Sequence, residues 1–470
     1  MFKSKVYINR RQELKEKVKR GVILFIGNNE SQVLIRDTVQ KFRQNSNFLY
    51  YWGLNEPGLA ALINVDNDKE ILFGHDLATE EIIWEGEQKK LADKAKLIDV
   101  SITAEMSTLK NILADFRKKS ARIHYLPQHF DNNIQKISNL LNITIKQVAQ
   151  KYSVELTKAV IDQRLIKSKN EIVEIEKALN ISHKFHTLAM QKTRSEKYEY
   201  DIVKVMEKIL ISKGSRWAYL PIFTIRGERL HNHHYNNKMQ KGDLVINDSG
   251  AESPTGLYSS DITRTFPVSG AFTKKQKGIY EIVLKTQLAA IKAIKPGVKY
   301  LDIHLLAARI IAEGLKKLGI MKGDLENAVT AGAHALFFPH GLGHMLGLDV
   351  HDMEDLGEEF IGYNDKIKRS DQFGLAYLRF AKELRSGQVL TVEPGIYFIP
   401  QLIKQWQSEN KFKEFINYEK VNEYFDFGGV RIEDNILVTK NSHRVLGKPI
   451  PKTIKEIESL MKKRQIKSNV

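Results

Sequence analysis

Apolar positions in the first third of the chain follow two different rhythms. Val22–Ile26 is a short unbroken apolar run that stops at Gly27-Asn28-Asn29, the pattern of a buried strand closed by a turn. Leu59–Ile63 and Glu70–Phe73 flank Asp66-Asn67-Asp68, which predicts a hairpin. Around these runs apolar residues recur at helical spacing and predict amphipathic helices over Arg11–Arg20, Ala104–Lys118 and Asn132–Leu141. The alternation predicts an α/β domain over residues 1–153. It carries no glycine loop of the kind that cradles phosphate.

At Val154 the rhythm changes. Ile166, Ile172, Ile175, Leu179 and Ile181 recur at helix-like intervals in a highly charged stretch, so residues 154–194 are expected as a helical linker. Residues 195–451 read as a second domain, with helices near Glu199–Lys213, Lys275–Ile294 and Tyr300–Leu318 and short strands between and after them. Helical runs separated by antiparallel strands argue for an α+β class. Residues 452–470 read as a basic tail, with Lys452–Lys467 expected as a solvated terminal helix.

Composition narrows the function classes. A chain of 470 residues is long for one core, so two domains are expected. No apolar run is long enough for a transmembrane helix, and Met1–Gly21 lacks the apolar core of a secretory signal. A cytoplasmic protein without a membrane partner is therefore expected. The absence of cysteine excludes disulfides, thiolate ligands and thiol catalysis. A net charge of +17 invites a nucleic-acid partner. Yet the lysines are spread along the whole chain without a nucleic-acid-binding motif, so no such partner is expected.

The chemistry gathers in five motifs of the C-terminal half: Asp248-Ser-Gly-Ala, Asp261-Ile-Thr-Arg-Thr-Phe, His340-Gly-Leu-Gly-His344, Thr391-Val-Glu393-Pro-Gly and Arg431-Ile-Glu433-Asp. Leu244–Asp248 and Tyr258–Phe266 read as strands joined by Ser253-Pro254-Thr255-Gly256, a strong turn sequence. A turn centred between Pro254 and Thr255 sets Asp248 directly opposite Asp261. Two opposed carboxylates repel unless a cation or proton lies between them. An isolated Asp at a strand end is more often a turn cap, and Arg431 with Glu433 reads equally well as a surface ion pair. It is the set that points to metal. Gly341 and Gly343 argue against a helix between His340 and His344, and His351 follows in Asp349-Val-His351-Asp352. Four carboxylates and one imidazole would balance two divalent cations and favour Mn²⁺. Such a pair can hold a bridging hydroxide that attacks an amide carbonyl.

The motifs, in this order, resemble those of the pita-bread metallopeptidases, most closely aminopeptidase P and prolidase. His340–Asp352 and Asp261–Phe266 are long matches, and Phe42–Pro57 resembles the N-terminal domain of that subgroup. The resemblance implies a dimanganese Xaa-Pro aminopeptidase that releases the residue preceding proline from peptides. It implies Asp248 and Asp261 on one metal, His344 and Glu393 on the other, and Asp261 and Glu433 bridging. His231, His340 and His351 would serve catalysis and substrate binding, Arg431 would lie at the substrate, and Glu393 would shuttle the proton. Homodimers or homotetramers are usual in the family.

Two features depart from the family pattern. Asp248 and Asp261 are thirteen apart rather than the usual eleven, and two long stretches, Tyr363–Leu384 and Gln401–Phe427, separate the later motifs. These stretches leave open a prolidase that cleaves only Xaa-Pro dipeptides. A non-catalytic binding protein of this fold, or a metal-free relative acting on a small amidine, is disfavoured because no ligand is missing.

Overall fold

The expected N-terminal strand Val22–Ile26 (β1) forms and pairs antiparallel with Ala60–Asn64 (β2), which pairs antiparallel with Lys69–Gly74 (β3). Ile102–Glu105 (β4) joins β3 in parallel, and Ile123–His124 (β5) joins β1 in parallel. The five-stranded order is β4-β3-β2-β1-β5. Val22, Leu24, Leu62 and Phe73 from the sheet meet Leu109, Leu113, Ile137 and Leu141 from the helices in one apolar core. The helix expected from Ala104 starts only at Leu109, because Ile102–Glu105 is drawn into the ladder beside Ile71–Gly74. The helix expected from Arg11 starts earlier, at Ser4. This computed structural model describes residues 2–30 and 41–462.

Two compact units divide the chain: Met1–Arg164 with Met353–Phe360, and Leu165–Asp352 with Ile361–Val470. The charged stretch after Val154 becomes two helices, Val154–Leu165 and Lys169–Lys192. Ser168 starts the second, since its hydroxyl accepts the Glu171 N–H while Glu171 returns a carboxylate to the Ser168 N–H.

In the second unit, Ile222–Thr224 (β6), Leu244–Asp248 (β7) and Thr263–Pro267 (β8) form an antiparallel meander. Val389–Val392 (β9) pairs antiparallel with Asp434–Val438 (β12), which also pairs with His443–Val445 (β13). Gly395–Tyr397 (β10) pairs antiparallel with Gly429–Arg431 (β11). Helix Lys274–Ala293 packs on β9, β10 and β11, and helix Tyr300–Lys317 packs on Lys274–Ala293. Tyr300, Ile303, Ala307, Ile311 and Leu315 bury one helical stripe.

The last helix, Ile454–Lys462, is not simply solvated. Ile457 and Met461, four apart on one face, are buried as the helix packs on Lys169–Lys192, and Lys452 just before it pairs with buried Asp434 at 2.7 Å. The remainder of the basic tail, residues 463–470, lies outside the described residues. Among the described residues no helix is long and apolar enough to cross a membrane.

Candidate metal centre

Asp248 is the last residue of β7, but the residue opposite it is Thr263, not Asp261. The turn lies one residue later than its sequence suggests. Ser253 N–H donates to Tyr258 O at 2.8 Å, and Leu257 adopts a left-handed φ of 59°. Thr255 Oγ1 and Gly256 N–H both donate to Glu174 Oε2 at 3.0 Å, which pins the loop in that form. Asp261 therefore lies two positions before Thr263, diagonal to Asp248 yet on the same face. Asn435 of β12 fixes it: Asp261 N–H donates to Asn435 Oδ1 at 3.0 Å, and Asn435 Nδ2 donates to Asp261 O at 2.5 Å.

Glu393 and Glu433 are placed by a second ladder. Val392 faces Asp434 before the break and Gly395 faces Arg431 after it. One register runs through both halves and sets Glu393 opposite Glu433. Pro394 cannot donate to the ladder, so the strand breaks where the carboxylates turn inward. His340 and His344 lie on a loop, as Gly341 and Gly343 suggested. A side chain at Gly343 would collide with Thr391 O, so glycine lets the His344 backbone reach β9, where Thr391 N–H donates to His344 O at 2.9 Å.

Ligand atoms of Asp261, His344 and Glu433 lie within 4.8 Å of one another, and all three residues are buried. His344 Nε2 is 3.3 Å from Asp261 Oδ2 and 3.5 Å from Glu393 Oε1. Its Nδ1 faces Met345 O at 3.1 Å. Because a carbonyl only accepts, the proton belongs on Nδ1, and the Nε2 lone pair then points at two carboxylates. Glu433 Oε2 accepts from Thr263 Oγ1 at 2.7 Å, while its buried Oε1 has no protein partner. Acceptors crowded against acceptors, with one carboxylate oxygen orphaned, fit a bound cation.

The electrostatics agree. Burial pushes the Glu393 carboxyl up to about 7, with Asp261 and Asp248 adding to it against His344 and Arg431. Burial, then Asp261, Glu393 and Asp248, drive Glu433 well above the usual carboxylate range. Asp248 is also raised by burial, against the pull of Arg431. Without a cation, burial and mutual repulsion favour the protonated form of each of these carboxyls more than water would.

Arg431 is buried rather than part of a surface pair. It donates to Asp248 Oδ2 at 2.5 Å, Tyr397 Oη at 2.6 Å and Thr263 Oγ1 at 3.2 Å. Tyr397 lies 3.0 Å from His340 Nε2, and His340 Nδ1 lies 2.8 Å from Gly341 O. Burial, then Arg431, lowers His340 to about 3. His351 is exposed, with its ring 4.1 Å from that of His344. His231 sits on an exposed loop, close enough to Arg431 and Asp248 to be influenced by both.

Several residues of this cluster were not singled out by sequence. Tyr219 donates to Asp248 Oδ1 at 2.6 Å and contacts Asp261 Oδ1, but no local motif marks it. Thr263 and Thr391 stand inside the Asp261 and Glu393 motifs, so their signal was present.

Residues 173–440 match the model of metallopeptidase family M24, and residues 7–124 match the aminopeptidase P N-terminal domain. The chain belongs to metallopeptidase family M24. It is 33% identical over 448 residues to a probable Xaa-Pro aminopeptidase of Sordaria macrospora, covering 94% of this chain and 91% of that protein. It is 32% identical over 476 residues to a human Xaa-Pro dipeptidase, covering 96% and 92%. The Pseudomonas aeruginosa aminopeptidase PepP structure superposes with a TM-score of 0.82 at 28% identity, covering 99% of each chain. A zinc-substituted Escherichia coli aminopeptidase P in complex with product superposes at 0.81, covering 98% and 99%. The expected pita-bread catalytic fold behind an aminopeptidase P-type N-terminal domain is thus borne out.

Proposed function

We infer that this chain is a metal-dependent Xaa-Pro aminopeptidase, releasing the N-terminal residue that precedes proline from peptides. The observation that carries the reading is the buried Asp261–His344–Glu433 cluster in a chain matched almost end to end by a probable Xaa-Pro aminopeptidase. Asp248, Asp261, His344, Glu393 and Glu433 would hold two divalent ions. Their mix of carboxylates and one imidazole suits Mn²⁺. When bound, such ions polarise the scissile carbonyl and lower the pKa of water toward neutrality.

The protein groups supply the rest. Glu393, opposite Glu433 and 3.5 Å from His344 Nε2, takes a proton from the attacking water and returns it to the leaving proline nitrogen. His351, exposed beside His344, donates to the developing oxyanion. His231 and His340 line the substrate side. Arg431 holds Asp248 and orders Tyr397 beside His340, so it serves the substrate by fixing the wall that meets it. Assembly as a homodimer or homotetramer rests on the family resemblance and is tested by light scattering; residence in the cytoplasm, expected from the sequence pattern, is tested by fractionation.

The similarity to a human Xaa-Pro dipeptidase favours one second reading, a prolidase of the same chemistry. An Xaa-Pro-Yaa tripeptide and an Xaa-Pro dipeptide, assayed side by side with Mn²⁺ and with chelator, separate the two. Metal-dependent cleavage of the tripeptide is expected. Cleavage of the dipeptide alone makes the protein a prolidase, and cleavage of neither overturns both readings.

A further inference from the structure

The loop that leaves His344 closes on Asp352. Asp352 N–H donates to Met345 O at 3.0 Å, the same carbonyl that His344 Nδ1 faces at 3.1 Å. The Asp352 side chain organises the loop interior: Oδ1 accepts from Asp349 N–H at 3.3 Å. A side chain at Gly347 would collide with the carboxylate. Asp352 Oδ2 meets Lys167 Nζ at 2.9 Å, and both side chains are 1% exposed. Lys167 is itself anchored, since its N–H donates to Gly387 O at 2.8 Å, just before β9.

A buried ion pair is weak evidence of stabilisation, because apolar residues of like volume are often as good or better. What such a pair does supply is one fixed geometry. Here that geometry passes through a single carbonyl to the imidazole of His344, and through one peptide unit to His351, whose ring lies 4.1 Å from it.

We propose that Lys167 is a positioning residue for the metal centre: through Asp352 it fixes the Met345 carbonyl that orients His344 and the backbone that carries His351. The proposal rests on His344 being a metal ligand. Groups that orient a ligating histidine from behind are worth roughly 10–100-fold in metal affinity or activity, and Lys167 acts at that level from outside the ligand shell.

The test uses the full chain titrated with Co²⁺, following affinity, the visible spectrum of bound Co²⁺, melting temperature and the separate kcat and KM. Lys167→Met removes the buried ammonium that faces Asp352 Oδ2. It should melt lower, bind Co²⁺ roughly 10–100-fold more weakly with an altered spectrum, and lose kcat with KM nearly unchanged. Lys167→Met with Asp352→Asn removes both charges. That double variant should recover melting temperature without recovering Co²⁺ affinity, spectrum or kcat, which also covers failure of the single variant to fold. A well-folded double variant with wild-type affinity and spectrum overturns the proposal. His344→Ala separates the underlying reading: wild-type Co²⁺ binding by that variant refutes His344 as a ligand, whereas weak binding there beside normal binding in the Lys167 variants refutes only the positioning role.

Discussion

Removing the metals should leave a protein whose stability falls as pH rises, opposite to the usual behaviour of paired carboxylates. In the folded, metal-free chain burial raises Glu393 from its ordinary 4.5 to about 7, about 3 kcal/mol of preference for the protonated form. Unfolded, the same carboxyl ionises in its ordinary range. The stabilising effect of that proton is complete below the unfolded pKa and is lost as pH rises through the folded one. Between pH 5.5 and 8 the loss from Glu393 alone is about 2 kcal/mol, and Glu433, raised by the same burial, acts in the same direction. A unit of this size loses about 2 °C of melting temperature per kcal/mol, so metal-free protein should melt about 4 °C or more lower at pH 8. Metal-loaded protein has cations where those protons were and is exempt. The quantity to follow is therefore the difference between loaded and chelated melting temperatures, in which groups far from the site cancel, while His340, lowered to about 3 in the folded chain by burial and Arg431, lies outside this window. That difference should widen from pH 5.5 to 8, and Glu393→Gln should flatten much of the slope. A difference that is constant or narrows refutes the reasoning.

Three further outcomes are expected. Glu433→Ala should reduce peptide hydrolysis below about 1% of wild type, yet its metal-free form should melt no lower than metal-free wild type because a desolvated carboxyl is gone; retained activity refutes its role as a ligand. Arg264→Met should cost about 3–5 kcal/mol by breaking its buried 2.6 Å pair with Asp434. Asp434 is held below the usual carboxylate range, burial notwithstanding, by Arg264 and Lys452, so the wild type loses this stabilisation as pH falls below about 4 and the variant's acid limb should be shallower in denaturant titrations. Asn435→Leu should cost about 1–3 kcal/mol by orphaning Asp261 N–H and O, and should weaken metal binding measured by calorimetry; unchanged affinity shows that the Asp261 loop holds itself.

Periodicity exposed most of the helices and strands. The helices Glu199–Ser212, Lys274–Ala293 and Tyr300–Lys317 stand almost where their apolar stripes place them. Elements whose fate depends on distant partners were less legible. Ile102–Glu105 has nothing local to distinguish it from the start of a helix until β3 lies beside it. The same limit explains the hairpin: Ser253-Pro254-Thr255-Gly256 signals a turn, but its register is settled by Glu174, some eighty residues earlier. An error of two positions keeps a side chain on its face, so Asp248 and Asp261 still met at one site. Tyr219 and Asn435 stayed invisible because their roles arise from contacts across the fold rather than from spacing along it.

The shared register of β9–β12 and β10–β11 has a bearing on how freely the protein can vary. In the β7–β8 hairpin the turn that Glu174 pins decides which residues meet, so an inserted residue there would turn one aspartate away. Glu393 and Glu433 instead meet midway along a zipper held on both sides, while the excursion from Pro400 to Phe427 loops out beyond its end. Residues can be added to or removed from that excursion without moving either glutamate. The region beyond Tyr397 is thus where this scaffold can change in length while its two glutamates stay opposed.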